Sequence, residues 1–449
     1  MRTHGPAPIR LLIGSFLGLI LIGTLLLKLP AATPPGQPIT WIDALFTAAS
    51  ASCVTGLTVR DTGTGFTLFG QLVILGLIQA GGLGVMTFSL FILALFRGRV
   101  SQAQRSLFEQ TLAGSGRAQV WPILRLVVLF TFATEGLGAL LLFVRWLPEM
   151  GAARAAYNAV FHAVSAFCNA GFGLRPDSLT PWRGDAWVIL TVSALIILGG
   201  LGFLTVYEVA QWSRRRTPLS VHSKLALVVS GALIVLGTGL IWFLESGRSF
   251  AGMGLAEQGL AAWFQSVSTR TAGFNTVDLA LLSPATLFLM ILLMFVGGSP
   301  GSCAGGVKTT TFGVLVLAMV TRLRGHTHVN LFRRTLGPLT VRNTLTAAVG
   351  GTMGVIPALF ALLLIEGPQR TLAEEHFLFI DYFFETVSAL GTVGLSTGIT
   401  ASLTPAGRLL VALLMFCGRL GPLTLAGALA SPQGEDEDWR YPEEEVMVG

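Results

Sequence analysis

Four short stretches of this 449-residue chain close on a glycine that follows small or polar residues. They are Cys53-Val54-Thr55-Gly56, Cys168-Asn169-Ala170-Gly171, Arg270-Thr271-Ala272-Gly273 and Gly391-Thr392-Val393-Gly394. Their side chains have little in common. What they share is a terminal glycine, which lets the backbone take angles a side chain would forbid. The chemistry open to such loops is coordination through main-chain oxygen. A dehydrated cation in a membrane costs many kcal/mol unless oxygens replace its water, and rings of backbone carbonyls do so in potassium-selective filters. Four loops about one axis, each contributing the carbonyls of the three residues before its glycine, would hold a monovalent cation, potassium first among them.

Two basic features stand beside these loops. Arg419 lies mid-span, where its counterparts in other repeats are glycines: Gly81-Gly-Leu-Gly84, Gly199-Gly-Leu-Gly202 and Gly418-Arg-Leu-Gly421 align. An arginine at membrane depth is a functional candidate by default. Projecting into the pore about 4 Å from a passing cation, it would oppose that cation by roughly 4 kcal/mol at an effective dielectric of 20; alternatively it pairs with carbonyls of the broken helix described next. Arg270, inside the third loop, is expected to point away from the axis, with Glu385 or carbonyls behind the loop as partner, or to snorkel to the outer surface. The run Gly297-Gly298-Ser-Pro-Gly-Ser-Cys-Ala-Gly305-Gly306-Val-Lys308-Thr-Thr-Thr311 interrupts an apolar stretch. So many glycines and a proline cannot continue a helix. It reads as an intramembrane gate or as a static kink, with Lys308 anchoring it toward the cytoplasmic face. Its likeness to a phosphate-binding loop fails, because Val307 separates Gly306 from Lys308 and both flanks are membrane spans.

Each glycine ends a short amphipathic segment: Trp41–Gly56, Ala156–Gly171, Gly259–Gly273 and Ile380–Gly394. These are too short to span a bilayer and suit re-entrant half-helices. Irregular backbone at membrane depth is tolerated where it is buried or lines a water-filled cavity. The half-helices would also aim their negative C-terminal ends at the cavity. The pattern recurs roughly every hundred residues and divides the chain into repeats at 1–100, 101–217, 218–330 and 331–449. The expected fold is an all-α membrane protein: four pseudo-symmetric helix–pore loop–helix repeats around a central pore, with eight spanning helices and four re-entrant half-helices.

Composition agrees. Hydrophobic residues make up 52% of the chain and charged residues 12%, against roughly 25% charged in a soluble protein. Leu11–Leu29, Val188–Val206, Leu225–Leu244 and Leu409–Leu429 are bilayer-length apolar runs, and the first reads as a retained helix rather than a signal peptide. The net charge of +6 reflects topology, not nucleic-acid binding. With the N-terminus inside, Lys and Arg favour cytoplasmic segments by roughly two to one. Cys53, Cys168, Cys303 and Cys417 lack metal-type spacing. The pair His326 and His328 reads as part of a solvated loop, since two histidine ligands fall short of the set a zinc site needs. No nucleophile–base set or metal motif lies in the spans, and His162 and Glu208 lack partners within helical reach, which argues against an enzyme. A receptor or structural role would leave four filter-like loops without purpose.

On these residues the chain resembles the Trk/Ktr/HKT superfamily of potassium transporters. The resemblance covers all four repeats: Ser52-Cys-Val-Thr-Gly-Leu57, Ser165-Ala-Phe-Cys-Asn-Ala-Gly-Phe172, Thr269-Arg-Thr-Ala-Gly-Phe-Asn275 and Gly391-Thr-Val-Gly-Leu-Ser-Thr-Gly398 are similar to the family's filters. Gly305-Gly306-Val307-Lys308 resembles its intramembrane gating loop, and Arg419 its pore arginine. Within the superfamily the chain looks most like the membrane subunit of bacterial Ktr systems, including its terminal Val446-Met-Val-Gly449. The resemblance implies a multi-pass protein of the bacterial plasma membrane with cytoplasmic termini. It further implies a homodimer, a cytosolic nucleotide-binding ring as regulatory partner, no cofactor on this chain, and potassium as the ion bound, with sodium dependence. Ammonium or sodium is the alternative cargo. Cys168 replaces a usual Asn-like residue, a change that backbone coordination survives, and Cys303-Ala304 departs from the usual gating loop. The acidic tail, Glu435–Asp438 and Glu443–Glu445, is solvated or contacts basic loops or a partner.

Overall fold

The computed structural model describes residues 7–95, 120–367 and 372–421; the acidic tail and the terminal Val446–Gly449 lie outside them. Repeat 1 contains α1 (Ala7–Lys28), the half-helix α2 (Trp41–Ser52) and α3 (Leu68–Leu95). Repeat 2 contains α4 (Val120–Met150), the half-helix α5 (Ala152–Phe167), α6 (Ala186–Leu201) and α7 (Phe203–Arg215). Repeat 3 contains α8 (Val221–Glu245), the half-helix α9 (Leu255–Ser268), α10 (Pro284–Phe295) and α11 (Thr309–Leu323). Repeat 4 contains α12 (Pro338–Glu366), α13 (Leu372–Gly391) and α14 (Pro405–Leu420). A two-stranded hairpin, β1 (Asn330–Leu331) with β2 (Arg334–Thr335), joins repeats 3 and 4. His326 and His328, just before it, are exposed.

Local sequence starts and stops these helices. Side chains of Thr40, Asp185, Ser220, Ser283 and Thr404 accept a backbone N–H in the first turn of α2, α6, α8, α10 and α14, as good N-caps do. Pro284 and Pro405 occupy the first turn, where their missing N–H costs nothing. Arg125–Met150, Val221–Glu245 and Pro338–Glu366, in the first helices of repeats 2 to 4, are each long and apolar enough to cross a membrane. At 12 residues, α2 reaches only about 18 Å, short of a bilayer core.

The run Val188–Val206, expected as one span, is not continuous. It breaks at Gly202, and α6 and α7 diverge by 105°. The cause is the backbone: Gly202 takes φ 82°, ψ 141°, open to glycine and closed to β-carbon residues. Gly421, its counterpart, ends α14 at φ 79°, ψ 149°. So the second helix is interrupted in repeat 2 as well as in repeat 3, where the break was expected.

Two device-like carboxylates tie outer to inner helices. Glu245, last in α8, accepts from Ser283 N (3.0 Å), Ser283 Oγ (2.7 Å) and Thr286 Oγ1 at the start of α10. Glu366, last in α12, accepts from Thr404 N (2.9 Å) and Oγ1 (2.8 Å) at the start of α14. Each places an anion on a helix N-terminus, where orphan N–H groups and the dipole favour it.

Candidate ion pathway

The four glycines form a closed ring. A Cβ on Gly56 would lie 2.5 Å from Ala170 O, and one on Gly171 would lie 2.9 Å from Ala272 O. One on Gly273 would lie 2.8 Å from Val393 O, and one on Gly394 would lie 1.9 Å from Thr55 O. Each loop therefore abuts the next, and the fourth abuts the first. All four glycines line one open cavity of about 380 Å³, with Asp61, Arg175 and Asp278 on its wall. There is no room for any β-carbon at this level.

The loops share one backbone course. Val54, Asn169, Thr271 and Thr392 have φ of 49–67°, and the glycines two residues later have φ of 68–104°. The intervening residues have negative φ. Residues with β-carbons resist positive φ, so surrounding structure must enforce it. A buried serine in each half-helix does this, one turn after a buried phenylalanine: Phe46 and Ser50, Phe161 and Ser165, Phe264 and Ser268, Phe384 and Ser388. The serine carbonyls accept from Thr55 N, Ala170 N, Ala272 N and Val393 N at 2.7–3.0 Å. Ser50 Oγ and Ser388 Oγ also accept from Gly56 N and Gly394 N, both at 3.1 Å. Counted from its serine, the third loop is one residue shorter, and Ser268 Oγ instead donates to Phe274 O.

The carbonyls this produces are free. Among the described residues, none of the oxygens of Val54, Thr55, Asn169, Ala170, Thr271, Ala272, Thr392 and Val393 accepts a hydrogen bond from the protein. The buried hydroxyls of Thr55, Thr271 and Thr392 likewise lack a protein partner. Buried backbone carbonyls without partners are rare. Gathered where the four loops meet beyond four helix C-termini, they are main-chain oxygens of the kind that could replace a cation's hydration shell. Cys53, Cys168, Arg270 and Gly391 stand one step further in. The Asn169 amide turns back: with its nitrogen toward Ala166 O, Phe167 O and Ile196 O, it donates at 3.1–3.2 Å.

The glycines of the aligned inner-helix motifs seat the half-helices. Cβ atoms on Gly81, Gly199 and Gly418 would fall 2.0, 1.8 and 2.0 Å from Ser52 O, Phe167 O and Leu390 O. These carbonyls hold equivalent places, four residues before the ring glycine. The small residues thus serve filter support more than general helix packing.

Below the ring lies the 297–308 segment. Its ends are knit together: Gly297 N donates to Val307 O (2.9 Å), Val307 N to Phe295 O (3.2 Å) and Thr309 N to Gly298 O (3.1 Å). Its tip reaches every other repeat. Ser299 N and Cys303 N donate to Gly200 O and Gly199 O in repeat 2 (2.9 and 3.2 Å). The Cys303 sulfur approaches Gly82 in repeat 1, and Gly305 fits against Thr392 in repeat 4. A segment of one repeat that touches the other three crosses the axis. Lys308 does not reach toward the cytoplasmic face; its Nζ donates to Ala304 O at 2.7 Å and closes the segment on itself.

Arg419 is buried beside that tip, donating through Nη1 to Cys303 O and through Nη2 to Gly81 O at 3.0 Å. Arg270 Nη2 donates to Gly297 O at 2.8 Å. Glu385 is not its partner, being taken by Ser396 Oγ (2.8 Å) and Thr400 Oγ1. Both arginines therefore pin the broken segment, Arg270 at its start and Arg419 at its tip. Sequence reasoning missed the Phe-x-x-x-Ser register, legible in all four repeats, and the Glu245 and Glu366 clamps, which no local pattern marks. His162 and Glu208 do have partners: His162 Nδ1 lies 2.8 Å from Asn158 O, and Glu208 Oε2 accepts from Ser220 N at 2.9 Å.

Comparison with known proteins fits this geometry. The family profile TrkH, described as a cation transport protein, matches residues 12–439. The chain is 40% identical over 451 residues to "Ktr system potassium uptake protein B" of Vibrio alginolyticus, covering 100% of this chain and 96% of the relative. It is 39% identical over 441 residues to the protein of the same name from Bacillus subtilis, covering 98% and 96%. It is 37% identical over 447 residues to "Potassium/sodium uptake protein NtpJ" of Enterococcus hirae, covering 99% and 97%. Its fold is similar to the crystal structure of the potassium transporter TrkH from Vibrio parahaemolyticus, with a TM-score of 0.73 at 18% identity, covering 93% of this chain and 85% of that one. These relatives are transport proteins, not enzymes. With its helical membrane fold and a profile match over nearly its whole length, the chain belongs to the TrkH family of cation transport proteins.

Proposed function

We propose that this chain takes up potassium across a bacterial plasma membrane through the carbonyl ring. The observation that carries the reading is the set of carbonyls at residues 54–55, 169–170, 271–272 and 392–393, brought together where the four ring glycines abut and bonded to no protein donor. The names of the Vibrio and Bacillus relatives support potassium as cargo, and the Enterococcus name adds sodium as an ion to test. The 297–308 segment with Arg419 is the gate: it lies across the axis, and the guanidinium holds its tip closed. Gly297, Gly298, Gly305 and Gly306 give it the freedom to move aside.

The four repeats at 1–100, 101–217, 218–330 and 331–449 form one pore per chain. The protein works as a homodimer on a cytosolic nucleotide-binding ring, with both termini cytoplasmic and with sodium dependence. A partner subunit is in keeping with relatives named as one component of a Ktr system. The test is tracer rubidium uptake into liposomes holding the purified protein, with potassium, sodium or ammonium in competition. Uptake displaced by potassium at the lowest concentration is expected. Equal displacement by sodium would assign the sodium reading instead, and absence of uptake with or without a cytosolic partner would remove the proposal.

A further inference from the structure

Beneath the ring, filter and segment meet through sulfur. Cys168 in the second loop and Cys303 at the segment's tip are both fully buried free thiols. Their sulfurs flank one point, the place a Cβ on Gly82 would occupy, at 2.7 Å for Cys168 and 3.5 Å for Cys303. The two sulfurs therefore face the same glycine from different repeats. Cys168 Sγ also donates to Glu135 Oε1 of α4 at 3.8 Å, and the buried Glu135 Oε2 has no protein partner. Arg419 donates to Cys303 O, which places its guanidinium beside the segment's tip.

We propose that Cys168 and Cys303 form a two-coordinate site for a soft, thiophilic monovalent metal ion, and that its occupancy staples the 297–308 segment to the filter. Thiolate sulfur selects soft ions. Among the described residues no cluster of three or more His, Cys, Asp or Glu side chains could hold a metal, which excludes a tetrahedral zinc site and leaves ions content with two sulfurs. Access favours a single positive charge, because the carbonyl ring above is a path for monovalent cations. On binding, two S–H bonds break and two metal–sulfur bonds form, with no electron transferred. The Cys168 proton passes to the Glu135 carboxylate and the Cys303 proton to water. The resulting bis-thiolate complex carries one negative charge, which the Arg419 guanidinium faces. The stapling half of the proposal and the preference for a single positive charge rest on the pathway and gate reading above; the pairing of the two thiols as ligands does not.

Silver(I) is the probe, and binding is read without transport. Purified wild-type protein in detergent is titrated with silver nitrate and followed by silver–thiolate absorption. One ion per chain is expected. Affinity should fall by about a hundredfold or more in Cys168→Ser or Cys303→Ser, and no further in the double variant, since one thiol alone cannot complete the pair. Cys53→Ser and Cys417→Ser should keep the site. In liposomes, silver should suppress rubidium uptake of wild type, with each variant compared with and without silver. Undiminished binding in C168S or C303S, or loss confined to C53S or C417S, overturns the site. Binding without inhibition overturns the stapling. Protein that binds silver but carries no rubidium under any condition indicts the pathway reading and leaves the site standing.

Discussion

The ring and the layer directly beneath it follow opposite rules. At the ring, four unrelated quartets of side chains adopt one backbone course, each glycine against its neighbour's carbonyl. One step below, equivalent positions diverge. Gly82 faces the sulfur of Cys168, Gly200 the Asn169 amide, and Gly298 the methyl of Ala304, while the fourth position is Arg419, bonded to Cys303 O and Gly81 O. Binding a spherical ion needs equal oxygens on all sides, so the ring tolerates any side chain that leaves the backbone alone. Closing a pore needs one repeat to act on the others, so the lower layer must break the symmetry.

The most damaging single change is a methyl group placed in the ring. Gly171→Ala would place Cβ 2.7 Å from Gly273 Cα at φ +68°, with only backbone to move. Rubidium uptake should fall by about a hundredfold or more, since misplaced coordinating oxygens cost a dehydrated ion several kcal/mol; retention of the wild-type rate at equal protein in the membrane would remove the ring as the ion's path. In the lower layer, Arg419→Ala should act in the opposite direction. Removing a charge worth roughly 4 kcal/mol against a nearby cation, together with two bonds that hold the segment, should raise uptake by about tenfold or more. A folded variant with equal or lower flux would deny the arginine its barrier role.

Gly305→Ala sharpens the contrast further. Its Cβ would meet Thr392 Oγ1 at 2.0 Å, so the segment must shift from the fourth loop. Uptake should rise by about a few-fold, and pairing the change with Thr392→Ser, which keeps the hydroxyl but drops the methyl, should not restore closure. Outside both layers, Glu366→Gln weakens a clamp that meets Thr404 N and Oγ1. Thermal unfolding in detergent should report about 1–2 kcal/mol of lost stability, with ion preference unchanged; altered selectivity would tie the clamp to the filter. The smallest effect is expected at the Asp43–Arg408 pair, 2.6 Å apart, with Asp43 buried and Arg408 half-buried. Asp43→Asn should cost no more than about 1 kcal/mol, measured the same way.

Much of the ring was legible because its determinants are local. Glycine is needed wherever φ is positive and space is absent, so Gly56, Gly171, Gly273 and Gly394 reveal themselves by recurrence alone. Short amphipathic segments between spanning runs likewise disclose half-helices by length. Arg419 and the 297–308 run stood out because a charge and a cluster of helix breakers at membrane depth are expensive without a role. The Phe-x-x-x-Ser register was equally available, but its meaning is not: that a serine carbonyl accepts a loop N–H depends on how the chain turns back.

By itself the sequence determined that this chain lives in a membrane, repeats four times and breaks its helices near each glycine, since hydropathy, periodicity and backbone freedom act over neighbouring residues. Tertiary structure alone decided who meets whom. The carbonyl that receives Arg270 is Gly297 O and not the carboxylate of Glu385; Lys308 closes its own loop; the expected span Val188–Val206 bends by 105° at Gly202; and two cysteines far apart in the chain, Cys168 and Cys303, both meet Gly82. Such pairings join residues from different repeats, and their geometry is fixed by how helices pack around an axis. Residue types along a strand of sequence carry no record of that distance.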